Sequence, residues 1–481
     1  MALDYYHIYF SSPRIIQHLM LNMWVYRENK KRFAGVHDSH LQWLSANLNL
    51  STDEFYKTEN ERLREIIKYS HEKVPAYRKR FDDSGVNPDQ IRCVEDLPKI
   101  PTLSKEEVKS DYNAFISSDY RMSDLDVGMT SGTTGTPFKC IRTLDVYRKF
   151  HACISLMRQW NGISFKQPSV SFGGKSVIST SRTQPPFWHY NCIWNQTYFS
   201  IQHMSPLNLP DYVKKIRQVK PVHMMGYPSA ITMFGKFLLE NGITDIRPKA
   251  IFLNSEMVYP WQEKIIEEAY GAKTVEWYST QEILFFAYKC DFDHYHMLPG
   301  MGIIELLADG KQSGPGEAGE VVATTLINKA SPLIRFKLLD SAVWGKGECE
   351  CGSKLPFIHS IVGRVQDMIV TPDGNYFAGG SRILRAAPDI VEGQVIQETL
   401  DKFTVRLVPG KEWKKEYEEG IREKFKYYYP YDAELTIEIV DRVPRTASGK
   451  IEAVISLVNR KNELAKKEGF TRVKKDDQTD D

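Results

Sequence analysis

Short apolar runs that end in polar or glycine-containing turns recur along the middle of the chain, and amphipathic stretches separate them. The runs at 221–225, 250–253 and 274–278 have the length of buried strands. Residues 59–73 and 212–219 instead place apolar side chains at helical spacing. This alternation predicts an α/β fold, in which ligands usually bind at the carboxyl ends of the strands.

The pattern becomes more β-like toward the end of the chain. Its apolar runs predict strands at 302–307, 319–324, 403–408 and 434–440. A highly charged helix is predicted over 411–428, between the last two of these strands. The final elements therefore predict a small α+β unit, and the charged tail from Arg472 onward is expected to be disordered.

Proline and capping residues mark two helix boundaries. Pro75 is expected to stop the helix predicted over 59–73, because proline cannot donate the amide hydrogen that a helix interior needs. Ser104, with Glu107 three residues later, has the pattern of a capping box. A helix is therefore expected to begin directly after Ser104.

Length and composition fit a globular protein of two domains. A chain of 481 residues exceeds what one hydrophobic core usually supports, and its 42% hydrophobic residues suffice for two. The 63 basic and 61 acidic residues give a net charge of +2, so no overall charge attracts nucleic acid or a membrane. Charged residues interrupt the apolar amino terminus, and no stretch approaches the roughly 18 apolar residues of a spanning helix. We expect a cytoplasmic protein without a secretory signal or integral membrane segment; peripheral attachment through the aromatic-rich start stays open.

Two segments far apart in the chain have the composition of a nucleotide site. The first combines hydroxyl groups with glycines and runs Thr130-Ser131-Gly132-Thr133-Thr134-Gly135-Thr136-Pro137. Its amides and hydroxyls can converge on phosphate oxygens, because glycine tolerates the backbone angles that such a turn needs. The second segment offers Lys450 beside the flexible Gly449. A lysine near a carboxylate and an α-phosphate can position both and neutralise the charge that builds up between them.

Each of these segments also has a simpler interpretation. Clusters of serine, threonine and glycine are usually polar surface turns, and an isolated lysine is usually solvated. The Walker A pattern Gly-x-x-x-x-Gly-Lys-Ser/Thr is absent, which disfavours an ordinary P-loop NTPase. Neither segment would identify a function alone.

Together with further motifs in the same order, from about Leu63 to Ile455, these segments resemble the adenylate-forming superfamily of acyl-CoA ligases. The similarity is nearest to its phenylacetate-CoA ligase and capsular-polysaccharide (CapK-like) branch. The resemblance implies a large multi-sheet α/β adenylating domain, residues 1–366, and a small mobile α+β carboxy-terminal domain, residues 367–470, that carries Lys450. A disordered tail, 471–481, would follow. It also implies ATP and Mg²⁺ as cofactors and a small carboxylic acid as substrate.

The resemblance assigns roles within the segment Tyr278-Ser279-Thr280-Gln281-Glu282. Relatives place the aromatic residue against the adenine, the threonine near the α-phosphate and the glutamate on Mg²⁺, which prefers oxygen ligands. Thr280, Glu282 and Lys450 are therefore the expected catalytic residues, and Tyr278 and Ser279 are expected to contact the nucleotide. From spacing alone, a strand-end turn is an equally good interpretation.

Four further nucleotide contacts follow from the same resemblance. Asn254-Ser255-Glu256 is similar to the segment whose backbone borders the adenine, which makes Ser255 and Glu256 candidate contacts. Asp340 would accept hydrogen bonds from the ribose hydroxyls, and Arg364 would contact the ribose or phosphates. The chain departs from the family pattern at three places: Leu338-Leu339 before Asp340, Gln366 at the hinge, and Phe138 ahead of Lys139. An ordinary surface charge remains the alternative for Asp340, and a surface salt bridge remains the alternative for Arg364 and Asp367.

The seven cysteines are scattered and odd in number, which argues against a disulfide framework. The turn Cys349-Glu350-Cys351-Gly352 and the earlier Cys290, His294 and His296 offer enough nitrogen and sulfur ligands for a closed structural Zn²⁺ site. Spacing alone does not decide for zinc. Phenylacetate-CoA-ligase-like proteins have a similar arrangement, which favours Cys290, His296, Cys349 and Cys351, with His294 as the substitute ligand.

The sequence leaves the substrate and the acyl acceptor open. The aromatic stretch 186–194 and the turn 226–229 could line an acyl pocket, although core packing explains most such aromatic residues. The acceptor is the thiol of CoA or, in a CapK-like role, an amine or hydroxyl of a sugar or other small molecule. Two alternatives lie outside acyl transfer: a catalytically silent nucleotide-binding protein and an unrelated ATPase.

Overall fold

The computed structural model describes residues 2–130, 138–173, 177–179, 181–258, 260–364, 369–372, 376–377, 383–384, 389–410, 412–429, 431–445 and 451–458. The chain forms two compact units. The first comprises Met1–Val258, Glu263–Leu338 and Ala342–Ile361, and the second Tyr259–Gln262, Leu339–Ser341 and Val362–Asp481. The predicted mixed α/β class is confirmed.

Helices and strands alternate through most of the first unit and mix in the second. In the described part of the chain, helices α1 to α11 span Ala2–Ser11, Arg14–Arg32, His37–Ala46, Thr52–Lys73, Pro75–Ser84, Lys105–Ser110, Leu144–Trp160, Leu209–Val219, Pro228–Glu240, Pro260–Tyr270 and Tyr417–Tyr428. Strands β1 to β21 span Asp126–Met129, Lys139–Arg142, Ser169–Phe172, Trp188–Asn191, Gln196–Phe199, His223–Gly226, Ala250–Leu253, Lys273–Tyr278, Ala287–Lys289, Tyr295–Met297, Gly302–Ala308, Lys311–Gln312, Ala318–Thr325, Phe336–Trp344, Phe357–Arg364, Ile369–Val370, Tyr376–Phe377, Ile390–Gln397, Lys402–Pro409, Glu434–Ile439 and Val454–Ser456.

A 13-stranded sheet is the frame of the first unit. Its strand order is β12-β11-β13-β14-β15-β10-β9-β8-β7-β6-β3-β5-β4. Neighbouring strands from β8 through β7, β6 and β3 to β5 run parallel, so their carboxyl ends lie at the same edge. The three strands predicted from short apolar runs are β6, β7 and β8 of this parallel part. Their apolar character is explained by helices that cover both faces.

Alternate residues of the parallel strands enter two different cores, as the period of a strand requires. Val170 and Met224 pack with residues of α8 and α9 in one core. Phe252 and Val275 pack with residues of α3 and α7 in the other. The sheet therefore separates two helical layers.

The helix boundaries follow the capping residues. A capping box of Ser51 and Glu54 starts α4, which therefore begins earlier than the predicted residue 59. Pro75 follows the end of α4 as predicted, and it also opens α5, because a proline in the first turn has no amide hydrogen to satisfy. The capping box of Ser104 and Glu107 that precedes α6 is confirmed.

The first helices form an arm that the sequence analysis did not predict as structured. Tyr9 of α1 and Leu21 and Val25 of α2 form a small core with Val177 and Ile178. None of the helices in the described part of the chain combines the length and the apolar character needed to cross a bilayer.

The second unit contains a four-stranded sheet of order β20-β19-β18-β21. Val395 of β18 and Phe403 of β19 pack with Ile421 and Phe425 of α11, so a mixed α+β unit is present as predicted. Helix α11 begins at Tyr417 rather than at the predicted residue 411. The predicted tail, 471–481, lies outside the described residues.

Glu59 is a carboxyl group buried inside the first unit. It lies on α4, is 1% exposed, and accepts a hydrogen bond from the amide of Gly300. Burial raises its pKa to about 8. The protonated form therefore predominates in the folded protein at neutral pH, whereas the unfolded chain ionises this group at its ordinary, lower pKa.

The free energy of unfolding is expected to depend on pH through Glu59. The pKa of Glu59 is higher in the folded protein than in the unfolded chain, so Glu59 contributes to stability at pH values below its pKa in the unfolded chain. This contribution is lost as the pH rises toward about 8. Glu59→Gln keeps an acceptor for Gly300 and should reduce the loss of stability between pH 5 and pH 8 by on the order of 2 kcal/mol. Denaturant unfolding at both pH values measures this, with the exposed Glu61→Gln as control. Equal pH dependence in both variants and the parent would refute the assignment.

Candidate active site

The loop predicted to hold phosphates connects β1 to β2, which pair as an antiparallel hairpin. Thr130 closes its base: its amide donates to the carbonyl of Phe138 at 3.0 Å, and its hydroxyl accepts from the amide of Phe138 at 3.1 Å. The predicted contacts Ser131, Gly132, Thr133, Thr134 and Gly135 lie outside the described residues. The structure therefore fixes where this loop begins and ends.

The segment Tyr278 to Glu282 leaves the carboxyl end of β8 as a tight turn. The Ser279 hydroxyl donates to the carbonyl of Phe285 at 2.6 Å, and the amide of Ile283 donates to the carbonyl of Thr280 at 3.0 Å. Within the described residues, Thr280 Oγ1 and Glu282 Oε1 are buried and have no hydrogen-bond partner. Because native proteins satisfy most buried polar atoms, these two oxygens fit a ligand or metal ion.

The hairpin and this turn pack directly against each other. Arg142 of β2 donates from Nη1 to the carbonyl of Gln281 at 2.9 Å and forms an ion pair with Asp126 at 3.1 Å. A Cβ atom added at Gly128 would lie 2.7 Å from Gln281 Nε2, so glycine allows this close approach. The structure therefore brings the base of the Thr130 loop beside the turn that carries Glu282.

Lys105 is a residue of this site that the sequence analysis missed. Lys105 is the first residue of α6, and its Nζ forms an ion pair with Glu282 Oε1 at 3.3 Å. The geometry of this pair does not meet that of a hydrogen bond. The same ammonium group lies 5.8 Å from the ring centre of Phe138, which follows the loop. In the sequence, Lys105 is only the residue after a helix cap, so nothing there distinguishes it from a solvated lysine.

The turn after β7 positions a helix. The amide and hydroxyl of Ser229 donate to the carboxylate of Glu256 at 3.0 and 3.1 Å. Ser229 lies in the first turn of α9, where free amides favour a carboxylate partner. Ser255 has a left-handed backbone, with φ of 69°. The side chain of Glu256 thus holds the start of α9.

The remaining predicted nucleotide contacts belong to the second unit. Asp340 is a half-buried residue of β14, within the stretch 339–341 that groups with this unit. Arg364 ends β15, and its side chain lies outside the described residues, as do Gln366 and Lys450. Their predicted roles stay predictions.

The loop that contains Lys450 has a defined anchor. Arg445 and Ile451 form an antiparallel bridge on either side of residues 446–450. Arg445 also forms an ion pair with the buried Glu392, which accepts the amide of Val443 at 3.0 Å. Arg445 therefore shapes the base of this loop.

Four predicted zinc ligands are brought together in the first unit. Cys290 follows β9, His296 lies in β10, and Cys349 and Cys351 lie in the turn before β15. One ligand atom from each lies within 4.8 Å of the others. The Sγ atoms of Cys290 and Cys349 are 3.8 Å apart, which is too long for a disulfide and close to the edge of a tetrahedron with Zn–S bonds of about 2.3 Å.

The histidine of this cluster is oriented by a backbone carbonyl. His296 Nδ1 lies 3.0 Å from the carbonyl oxygen of Leu355, and its Nε2 lies 3.2 Å from Cys351 Sγ. Donation from Nδ1 leaves Nε2 as the ligand atom, an arrangement common among metal-binding histidines. His294 instead lies 3.2 Å from Cys349 Sγ and 3.1 Å from His359 Nδ1. The donor set thus fits Zn²⁺ without His294.

A cavity of about 220 Å³ lies in the first unit, between the parallel strands and helices α2 and α7. Gly226, Tyr227 and Ser255, at the carboxyl ends of β6 and β7, line it. Trp194 also lines it, whereas Phe187 from the same aromatic stretch is buried in a core. One residue of that stretch therefore lines a cavity, and another packs in a core.

Comparison with known proteins agrees with this architecture. Residues 369–457 match the CapK C-terminal domain family. The chain is similar to Protein CapK of Staphylococcus aureus, with 23% identity over 92% of this chain and 97% of that protein. It is 25% identical to a phenylacetate-coenzyme A ligase of Pseudomonas putida, over 71% of this chain and 77% of the relative. A crystal structure of 2-hydroxyisobutyryl-CoA ligase, in the postadenylation state with R3-HIB-AMP, matches with a TM-score of 0.69 at 19% identity, over 91% of this chain and 96% of that chain.

The fold is thus that of the adenylate-forming ligases. The resemblance to phenylacetate-CoA ligase and CapK is confirmed by the two relatives and by the match of residues 369–457.

Proposed function

We propose that this protein activates a carboxylic acid with ATP and transfers the acyl group to CoA. A carboxylate oxygen forms a bond to the α-phosphorus of ATP while the bond to pyrophosphate breaks, which leaves an acyl-adenylate. The sulfur of CoA then attacks the acyl carbon and AMP leaves. The phenylacetate-coenzyme A ligase relatives and the matched fold support this reaction class.

One observation of the site carries the proposal. Thr280 Oγ1 and Glu282 Oε1 are buried without hydrogen bonds among the described residues, and they lie beside the base of the Thr130 loop. Glu282, held near Lys105 in the present arrangement, would hold Mg²⁺. Held there, Mg²⁺ would supply positive charge that offsets part of the charge on the phosphates. Thr280 would contact the α-phosphate, and the Thr130–Gly135 loop would hold the β- and γ-phosphates.

The other nucleotide contacts are proposed from the resemblance. Tyr278 would lie against the adenine beside the backbone of Ser255 and Glu256, Asp340 would accept the ribose hydroxyls, and Arg364 would contact ribose or phosphates. Lys450 would orient the reacting groups. An enzyme that uses ATP and has free cysteines in its structure fits a reducing cytoplasm.

The Cys290–His296–Cys349–Cys351 cluster is proposed to bind a structural Zn²⁺. Its four ligands leave no open position for substrate, and their spacing fits tetrahedral coordination. The ion would hold the turn before β15 against β9 and β10.

A second acceptor is favoured by one observation. The match to the CapK C-terminal domain covers the second unit, and the CapK relative covers nearly the whole chain. Transfer to an amine or hydroxyl of a sugar or other small molecule is therefore the alternative to CoA. Turnover with CoA, hydroxylamine and amino sugars, measured as AMP release from a competent acid, separates these acceptors.

ATP–pyrophosphate exchange over a panel of carboxylic acids tests the proposal itself. Exchange that requires an added acid supports it. An absence of exchange with every acid would indicate a silent nucleotide-binding protein, and phosphate release without acid would indicate an unrelated ATPase.

Glu282→Gln is expected to lower the rate of acid-dependent exchange about 100-fold or more, because a neutral amide holds Mg²⁺ poorly. The apparent KM for Mg²⁺ should rise in the same variant. Lys105→Gln, which removes the neighbouring charge but no metal ligand, is the matched control and should have a smaller effect. An unchanged Mg²⁺ dependence in Glu282→Gln would contradict this role.

A further inference from the structure

One wall of the cavity in the first unit is polar although it is part of a buried sheet face. Ser169 and Ser171 of β3 line the cavity, and the register pairs Ser169 with Gln196 of β5 and with His223 of β6. Farther along the same face, Phe252 of β7 packs in an apolar core under α7. The change from apolar to polar residues beneath one helix indicates a binding surface rather than a core.

Several polar side chains that line this cavity are buried and unsatisfied. His223 is 5% exposed and His151 of α7 is 8% exposed. In the described part of the chain, both ring nitrogens of His223, Nε2 of His151 and Nε of Arg158 have no hydrogen-bond partner. Buried polar groups are rarely left unpaired in native proteins, so these groups point to a polar ligand.

The cavity is also electropositive. Arg32, Arg158 and Lys166 line it, and the described residues of its lining include no carboxylate. Arg32 already forms an ion pair with Glu28 at 3.4 Å. Burial lowers the pKa of Arg158 to about 10, which still leaves the guanidinium charged at neutral pH. Arg158 is half-buried, and among the described residues no carboxylate pairs with it. A charge partly removed from water in this way is costly unless a ligand supplies the counter-charge.

We propose that this cavity binds the acyl part of the substrate, and that the substrate is a small dicarboxylic acid whose second carboxylate is held by Arg158. His223, Gln196 and Ser169 would give hydrogen bonds to the same end of the molecule. The orientation of the acid in the cavity rests on the proposed function. The carboxylate that is activated lies toward Gly226, at the carboxyl end of β6.

The dimensions of the cavity agree with a small acid. His223 and Gly226 are the first and last residues of β6, and they are about 10 Å apart at roughly 3.3 Å per residue. A fully extended dicarboxylic acid of roughly four to six carbons fits within that length.

Matched acids test the proposal in ATP–pyrophosphate exchange. Succinate, glutarate and adipate are compared with butanoate, pentanoate and hexanoate. We expect at least one dicarboxylate to exceed its monocarboxylate partner about tenfold or more in kcat/KM. Arg158→Met should remove this preference, and Arg158→Lys should retain part of it. Lys214→Met, at an exposed lysine of α8 outside the cavity lining, should leave it unchanged.

Binding and unfolding measurements separate this inference from the proposed function. If monocarboxylates support exchange equally well and Arg158→Met leaves the ratio unchanged, the inference is wrong while the function stands. If no acid supports exchange but calorimetry without ATP shows a dicarboxylate binding to the parent and not to Arg158→Met, the function fails and the inference stands. If no dicarboxylate binds, the inference fails. If Arg158 serves to bind a ligand, the thermal unfolding midpoint of ligand-free Arg158→Met should not fall below that of the parent. A lower midpoint would instead indicate that Arg158 stabilises the fold.

Discussion

Lys450→Ala is expected to lower the rate of acid-dependent ATP–pyrophosphate exchange by roughly 100- to 1000-fold. The attacking carboxylate and the triphosphate are both negatively charged, and an ammonium group near both stabilises the transition state more than either ground state. The measurement is exchange of labelled pyrophosphate into ATP at saturating acid. Because the loss concerns the reaction step, kcat should fall much more than the KM for ATP changes.

The two half-reactions separate a catalytic from a structural effect of this substitution. Lys450→Ala should retain much of the thioester formation from a synthetic acyl-adenylate and CoA, since that step does not need the lysine beside the triphosphate. Lys426→Ala, an exposed lysine of α11 in the same unit, is the matched control and should leave both half-reactions unchanged. Equal losses in both half-reactions, or no loss in either, would reject the assignment.

The sequence predicted the central strands well because burial on both faces leaves little choice of residue. Strand β7 is a continuous apolar run, and β8 has apolar or β-branched residues at four of its six positions. Each strand ends in the polar turn that begins a candidate binding segment. The cysteine cluster was also predictable, because few residue types bind zinc. Cysteine and histidine occur together near residues 290–296, and two more cysteines follow at 349 and 351. Contact between those places required the pairing of β10 with β15, which no local pattern indicates.

The residues that the sequence analysis missed are polar side chains whose importance depends on distant neighbours. Lys105 matters only because α6 lies beside the turn after β8, and the spacing of the two segments in the chain does not reveal that contact. His223 was included in an apolar run that predicted a buried strand, and the strand is present. Its unpaired ring nitrogens become visible only when β3, β5 and α7 surround it. The same holds for Arg158, which on α7 alone resembles a solvent-exposed arginine.

The helices of the amino-terminal arm could not be predicted from the sequence for a different reason. The arm's interrupted apolar pattern did not predict α1 and α2. These helices are stabilised by packing on residues 177–178 and on the strand pair β4 and β5, so their partners lie more than 150 residues away. Local propensity alone does not determine such elements.

Removal of the proposed zinc ion is expected to destabilise the first unit strongly. We expect about one Zn²⁺ per chain in protein purified without chelators, measured by elemental analysis. Cys349→Ser should lose the metal and lower the free energy of unfolding by at least about 3 kcal/mol, because metal binding contributes directly to folding when no preformed site exists in the unfolded chain. Cys192→Ser, at an exposed cysteine far from the cluster in sequence, is the control and should keep both metal and stability.

The two histidines near the cluster decide the ligand set. His296 is buried, its Nδ1 lies within hydrogen-bond distance of the Leu355 carbonyl, and its Nε2 faces Cys351, so His296→Asn should lose the metal. His294 contacts Cys349 but also His359, outside the four-ligand group, so His294→Asn should retain it. The reverse pattern would make His294 the ligand. Metal-free protein with an unchanged unfolding midpoint would mean that hydrogen bonds and packing alone hold this turn, because a closed tetrahedral site cannot lose its ion without losing the cross-link between β9, β10 and the turn before β15.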